Sequence, residues 1–132
     1  MIDALELHPS RAANPVVSVV DDDAPFLDSL ADLFESAGYK TYKFCGATDF
    51  LNSGAAQISN VLITDIEMSG IDGLTLMDMV AEVSDIPVIV ITGQQEKELL
   101  QRATSKGCAA FLRKPFDPAS LLCHVEEAIR RA

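Results

Sequence analysis

At 132 residues, 48% of them hydrophobic, the chain suits a single domain with a packed core and is too apolar for a disordered segment. A formal net charge of −10 repels phosphate backbones and anionic lipids, which argues against direct nucleic-acid binding by this segment and against a membrane surface. The apolar run Pro87 to Ile91 is strand-sized, and no run in the sequence is long enough to cross a bilayer.

Residues 1–14 read as a flexible polar tail that closes at Asn14-Pro15. The tail carries Asp3 and Glu6 and has no continuous apolar stretch, so it is not a signal peptide. Val16 to Val20 is β-branched and strand-sized. Phe26, Leu27, Leu30, Leu33, Phe34 and Ala37 then recur on one face of a helix that Gly38 stops. Tyr39 to Phe44 alternates aromatic and polar residues, as a more exposed strand does. A short helix is expected over residues 47–51.

"NVLITDI" is a second buried strand, and Asp72 can cap a helix carrying Leu74, Met77, Val80 and Ala81. "IPVIVIT" is a third continuous apolar strand. A helix over residues 96–105 follows, with Gly107 just past its end. "CAAFLRK" is the last strand. Asp117 then caps a helix that starts at Pro118 and lines one face with Leu121, Leu122, Val125, Ala128 and Ile129. Five strand-then-helix repeats with apolar strands mean parallel pairing, right-handed crossovers and a doubly wound α/β sheet covered on both sides.

Cys45, Cys108 and Cys123 are an odd set in apolar or small-residue surroundings, which reads as buried free thiols in a reducing cytosol. With no C-x-x-C and no metal spacing between His8 and His124, a zinc site is disfavoured.

Ligands of such sheets bind at the carboxyl ends of the strands, where strand order reverses. Here those ends carry Asp21 and Asp22 after the first strand, Asp65 after the third, Thr92 after the fourth and Lys114 after the fifth. Each residue has a plainer reading. Asp23 suits an N-cap or a solvated charge, Asp21 or Asp22 alone could be a cap, Thr92 a strand-end hydroxyl and Lys114 a loop lysine. The plain readings must all coincide at four strand ends, which weighs against them together.

Three packed carboxylates repel one another and take up protons unless a cation joins them. Few hard oxygen ligands with room for water suit Mg²⁺. Carboxylates and a metal beside a lysine make a place for a phosphoryl group, with Lys114 pairing one oxygen and the Thr92 hydroxyl donating to another. Asp65 lies between the other groups of ligands and is the favoured nucleophile, which would form an acyl phosphate. Asp21 and Asp22 are better placed to hold the metal from one side.

"VVSVVDDDAPF", "VLITDIEMSGIDG", "PVIVITG" and "AAFLRKPF" together resemble the four signature segments of bacterial two-component response-regulator receiver domains. The resemblance covers residues 15–132 and is similar in wording to receivers that precede a LuxR-type helix-turn-helix. It implies a flavodoxin-like fold of five parallel strands in the order 2-1-3-4-5 with five helices. It also implies that Asp65 is the phosphoacceptor, that Asp22, Asp65 and the backbone carbonyl of Glu67 bind Mg²⁺, and that Asp21 acts mainly through water. Thr92 and Phe111 would be the switch pair, Lys114 the phosphoryl-pairing lysine, and Lys114-Pro115 a cis peptide. Glu67 and Gln94 resemble the family's tuning sites for phosphoryl lifetime.

The implied partner is a sensor histidine kinase or phosphotransfer protein in the cytoplasm, with no membrane partner. A receiver of this kind is not a turnover enzyme; it catalyses its own phosphorylation and dephosphorylation. The response would be a rearrangement of the face made by the fourth helix, last strand and last helix, with a homodimer through that face. Phe111 filling the space that Thr92 vacates would carry it; the alternative is that Phe111 is fixed core. One position departs from the pattern: Ser69 stands where the family usually has Pro. Serine restores an N–H and frees φ, so a looser loop and altered metal affinity are expected, with the chemistry kept.

Two other functions compete. A phosphorylation-independent binding receiver would not need the intact acid set. A haloacid dehalogenase-type phosphohydrolase also uses an aspartate and Mg²⁺, and Asp21 to Asp23 formally spell its D-x-D. That family needs Thr or Val two residues later, where this chain has Pro25, and a larger cap-bearing chain. The last predicted helix runs to the end of the sequence, so a stand-alone receiver and a piece of a longer regulator are both open.

Overall fold

The computed structural model describes residues 14–132. The tail expected over residues 1–14 therefore lies, except for Asn14, outside the described residues. The elements alternate in chain order: β1 (Val16–Val20), α1 (Ala24–Ser36), β2 (Lys40–Phe44), α2 (Ala47–Ser53), a 3₁₀ turn (Ala55–Gln57), β3 (Val61–Asp65), α3 (Gly73–Ala81), β4 (Val88–Thr92), α4 (Lys97–Ser105), β5 (Ala110–Arg113) and α5 (Pro118–Arg131).

All strand pairs are parallel and the sheet order is β2-β1-β3-β4-β5, as the resemblance implied. The chain leaves β1 toward β2 on one side and returns to β3 on the other, so the order reverses at β1 and β3. The register sets Val20 beside Thr64, Asp65 beside Ile91 and Thr92 beside Arg113, which brings the carboxyl ends of four strands to one edge.

The inner strands are buried on both faces, which is why they show no polar alternation. Val17, Val19, Ile63, Ile89 and Ile91 point to one side and pack with Leu27, Leu30 and Phe34 of α1 and Leu121 and Val125 of α5. Val20, Leu62 and Val90 point to the other and pack with Phe50 of α2, Leu74, Leu76 and Val80 of α3 and Ala103 of α4. Each such side chain contributes about 1.5–3 kcal/mol by leaving water, so the sheet is a stiff platform for its edge. β2 is an edge strand and is the more exposed one, as its alternation predicts.

The caps are where the sequence places them. Asp23 accepts the Phe26 N–H, Asp72 that of Thr75 and Asp117 that of Ala119. Three side-chain expectations differ. Ala37 is the exposed cap residue after α1 rather than part of its buried face. In α3 the buried stripe includes Leu76, while Ala81 at the helix end is exposed. The cysteines are free but not buried: Cys45 and Cys123 are exposed and Cys108 is half-buried. Cys45 follows the edge strand β2, and Cys123 falls on the outer side of α5, off the Leu121–Val125 stripe.

Gly73 fixes how α3 meets β3. Its N–H donates to the Ile66 carbonyl at 2.9 Å. A Cβ there would stand 2.0 Å from the Asp65 carbonyl oxygen and 2.9 Å from Ile66 Cα, both backbone atoms that cannot swing aside. Gly73→Ala is expected to lower stability by about 1–3 kcal/mol by pushing the first turn of α3 off the end of β3. Urea unfolding should show a lower midpoint with an unchanged slope; an unchanged midpoint would mean that α3 does not need this approach.

Candidate functional site

The edge is assembled from strand ends and the loops after them. Asp21 follows β1 and is buried; its N–H donates to the Phe44 carbonyl at 3.1 Å, and its Oδ1 accepts the Asp23 N–H at 2.9 Å. Asp22 faces solvent. Asp65 closes β3, is buried, and its Oδ1 accepts the Ile66 N–H at 2.8 Å. One carboxylate oxygen from each of Asp21, Asp22 and Asp65 lies within 4.8 Å of the others.

Lys114 reaches in from the end of β5, where its own N–H is fixed by the Thr92 carbonyl at 2.8 Å. Its ammonium lies 3.2 Å from Asp21 Oδ2 and 3.4 Å from Asp65 Oδ2, bridging the two buried acids. Lys114-Pro115 is a cis peptide, as the resemblance implied. Thr92 is fully buried at the end of β4, and its hydroxyl oxygen accepts the Gln94 N–H at 3.0 Å, which leaves the hydroxyl proton free to donate.

Burial, and then the charge of Asp21, push the Asp65 carboxyl above its ordinary pKa; the Lys114 ammonium and the Ile66 N–H offset only part of this. Burial works against the Lys114 charge, but Asp65 and Asp21 outweigh it and hold the ammonium above its usual value. The pocket is therefore short of positive charge. Three hard oxygen donors close together, one open to water, are a donor set that fits Mg²⁺, and the raised Asp65 is the conflict such an ion relieves.

Glu67 and Ser69 border a cleft with Asp22 and Asp72. The Glu67 carboxylate accepts a hydrogen bond from the Gln94 side chain, which ties the loop after β3 to the loop after β4. The N–H that serine restores at position 69 has a partner: it donates to Asp22 Oδ2 at 3.2 Å. A proline could not make this bond, and the bond opposes the loosening expected of that loop. Phe111 is half-buried against the core on the α3–α4 side, with the Arg113 guanidinium 5.9 Å from its ring centre.

The structure thus brings Asp21, Asp22, Asp65 and Lys114 together, with Thr92 one strand away and joined through the Lys114 backbone. Two participants escaped the sequence reading. Gly73 was legible only as one letter of "EMSGIDG". Phe26, expected on the helix face, also has its ring 4.2 Å from the Lys114 ammonium; its nearness to the acid run was the available signal.

Comparison with known proteins bears on the family and the fold. The family model described as "Response regulator receiver domain" matches residues 17–126. The chain is 36% identical over 117 residues to the transcriptional regulatory protein FixJ of Bradyrhizobium diazoefficiens, covering 88% of this chain and 57% of that protein. It spans about half the length of the curated relatives it matches. The crystal structure of FixJ-N superposes with a TM-score of 0.82 at 30% identity, covering 90% of this chain and 96% of the other. A receiver domain protein from Clostridium thermocellum superposes at 0.84 with 24% identity, covering 89% and 95%, a likeness of fold.

The Asp65 shift has a consequence for stability. Its folded pKa lies above the unfolded one, so its ionisation costs stability above that window and costs nothing below both values. Asp65→Asn is therefore expected to melt above the wild type at pH 7 without divalent ions. The gap should close as the pH falls below about 4, the ordinary carboxylate range, and narrow when Mg²⁺ is added to both proteins. Thermal melts across pH check this; a variant that melts lower at pH 7 without metal contradicts it.

Proposed function

The chain belongs to the response regulator receiver domain family, and on that premise we propose that it accepts a phosphoryl group on Asp65 from a phosphohistidine of a partner kinase or phosphotransfer protein. The observation that carries this is the single ammonium bridging Asp21 and Asp65 inside a cluster of three carboxylates. That arrangement supplies a nucleophile, a cation for an incoming phosphoryl oxygen and a set of metal donors in one place.

Asp21, Asp22 and Asp65 would hold Mg²⁺, with the Glu67 backbone carbonyl as a further ligand. Bound there, the ion supplies positive charge to the carboxylates and to phosphoryl oxygens. Asp65 Oδ2 attacks phosphorus, the phosphorus–nitrogen bond to the donor imidazole breaks, and the imidazole leaves with the electron pair and takes up a proton. Lys114 moves its ion pair from the carboxylate to a phosphoryl oxygen, and the Thr92 hydroxyl donates to another. Charge that builds on the phosphoryl group thus meets donors already in place. Because the Glu67–Gln94 hydrogen bond joins the loops that follow β3 and β4, the two residues are placed to govern how water reaches the acyl phosphate.

The same contacts give the signal. Thr92 turning toward the phosphoryl group opens space beside β4, and Phe111, which has no polar atom to satisfy, moves inward to fill it. The face of α4, β5 and α5 changes with it and offers a surface for a second copy or for a downstream module. FixJ is a transcriptional regulatory protein; the likeness supports an output in transcription, through a module outside this segment. The acidic charge is consistent with that division of labour, since this segment is a poor ligand for nucleic acid. Among the described residues no helix is long and apolar enough to cross a membrane, and we place the reaction in the cytoplasm.

Incubation with acetyl phosphate and Mg²⁺ should add one phosphoryl group by mass, and Asp65→Asn or chelation with EDTA should abolish it. Lys114→Ala should slow labelling by about 100-fold, the cost of one preorganised charge donor. Label that persists in Asp65→Asn would overturn the assignment of the acceptor.

A further inference from the structure

The Lys114 ammonium has a third neighbour besides its two carboxylates. It sits 4.2 Å from the centre of the Phe26 ring, and its side chain is 27% exposed. A cation over an aromatic face is attracted by the ring's negative quadrupole, more strongly as water is removed. The ring holds the charge without offering a lone pair, so it does not compete with a phosphoryl oxygen for the ammonium protons.

Phe26 is itself held from several directions. The Asp23 N–H donates to Asp21 Oδ1 at 2.9 Å, and Asp23 Oδ1 accepts the Phe26 N–H at 3.2 Å. The acid run thus sets the first turn of α1, and that turn sets the ring. On its outer side the ring meets Phe116 edge to face, with centroids 6.1 Å apart and planes at 81°. Phe116 stands two residues past Lys114, so both ends of the contact are tied to the same loop. The contacts form a closed circuit from Asp21 through Asp23, Phe26 and Lys114 back to Asp21.

We propose that Phe26 is a positioning residue for phosphoryl transfer: its ring confines the Lys114 ammonium beside Asp65 as the ammonium exchanges its carboxylate partner for a phosphoryl oxygen. Lysine carries its charge on four flexible methylenes, and much of its rotamer freedom is lost when it must point one way. In the resting site Asp65 and Asp21 share that task. During transfer Asp65 gives up its negative charge to the new bond, and the ring keeps its hold. The inference rests on the reading of Asp65 as phosphoacceptor and of Lys114 as the group that pairs with the phosphoryl oxygen.

Labelling kinetics, calorimetry and NMR test it. At saturating acetyl phosphate and Mg²⁺, Phe26→Leu should label about 3- to 10-fold more slowly, the range a partly desolvated cation–π contact spans. Its Mg²⁺ affinity by calorimetry should be unchanged, and Phe26→Tyr, which keeps the ring, should label like the wild type. In proton–carbon NMR spectra, the Lys114 ε-methylene should be shifted upfield by the ring current in the wild type and in Phe26→Tyr, and not in Phe26→Leu. Equal labelling by Phe26→Leu and wild type overturns the proposal. So does an ordinary ε-methylene shift in the wild type, a reading that holds even where Phe26→Leu loosens the fold. Failure of the wild type to label at all strikes at the acceptor assignment instead, and the ring-current result then still reports on the contact.

Discussion

The central constraint is like-charge crowding. Asp21 and Asp65 are buried side by side, Asp22 stands at their rim, and one ammonium is shared between the two buried acids. Burial, and then the charge of Asp21, hold the Asp65 carboxyl above its ordinary pKa. A fold selected for stability alone would replace these acids with apolar side chains. Their presence stores an unmet demand for positive charge at one edge of the sheet, and the proposed chemistry consists of meeting it.

The rest of the molecule keeps that demand from relaxing. β1 and β3 are neighbours with apolar side chains packed on both faces, so the acids cannot separate without tearing the core. The Thr92 carbonyl fixes the backbone of Lys114, and Gly73 lets α3 start hard against the end of β3. The cost of crowding is borne by the two hydrophobic layers, each a continuous set of buried side chains between sheet and helices. Stiffness here is compatible with the rearrangement proposed for the α4–β5–α5 side. β5 is the opposite edge strand, and Phe111 on it is only half-buried.

Much of this was legible in the sequence. Val16 to Val20, "VLITD" and "VIVIT" announce strands buried on both faces, and the polar residue that ends each run marks the binding edge. Asp23, Asp72 and Asp117 were readable as caps because an aspartate before an apolar helical repeat has a specific backbone donor to accept. Contacts between distant segments were less legible. The Phe26–Lys114 contact joins the first turn of α1 to the loop after β5, the Ser69–Asp22 bond joins two loops, and nothing in the local pattern of either segment encodes the other. The cysteines misled because small apolar neighbours in sequence do not fix which way a side chain points at a turn or on the rim of a helix stripe. Cys45 and Cys123 fall on the solvent side of those boundaries.

The most direct test of the crowded-acid account is where a divalent ion settles. In amide NMR spectra of the wild-type chain, Mg²⁺ should titrate a single saturable site. Trace Mn²⁺ should then broaden the amides of Asp21 to Asp23, Asp65 to Ser69, Thr92 and Lys114 before any others, and excess Mg²⁺ should restore them. Broadening centred elsewhere on the acidic surface, or shifts that never saturate, would contradict the claim that these three carboxylates form one metal-dependent centre.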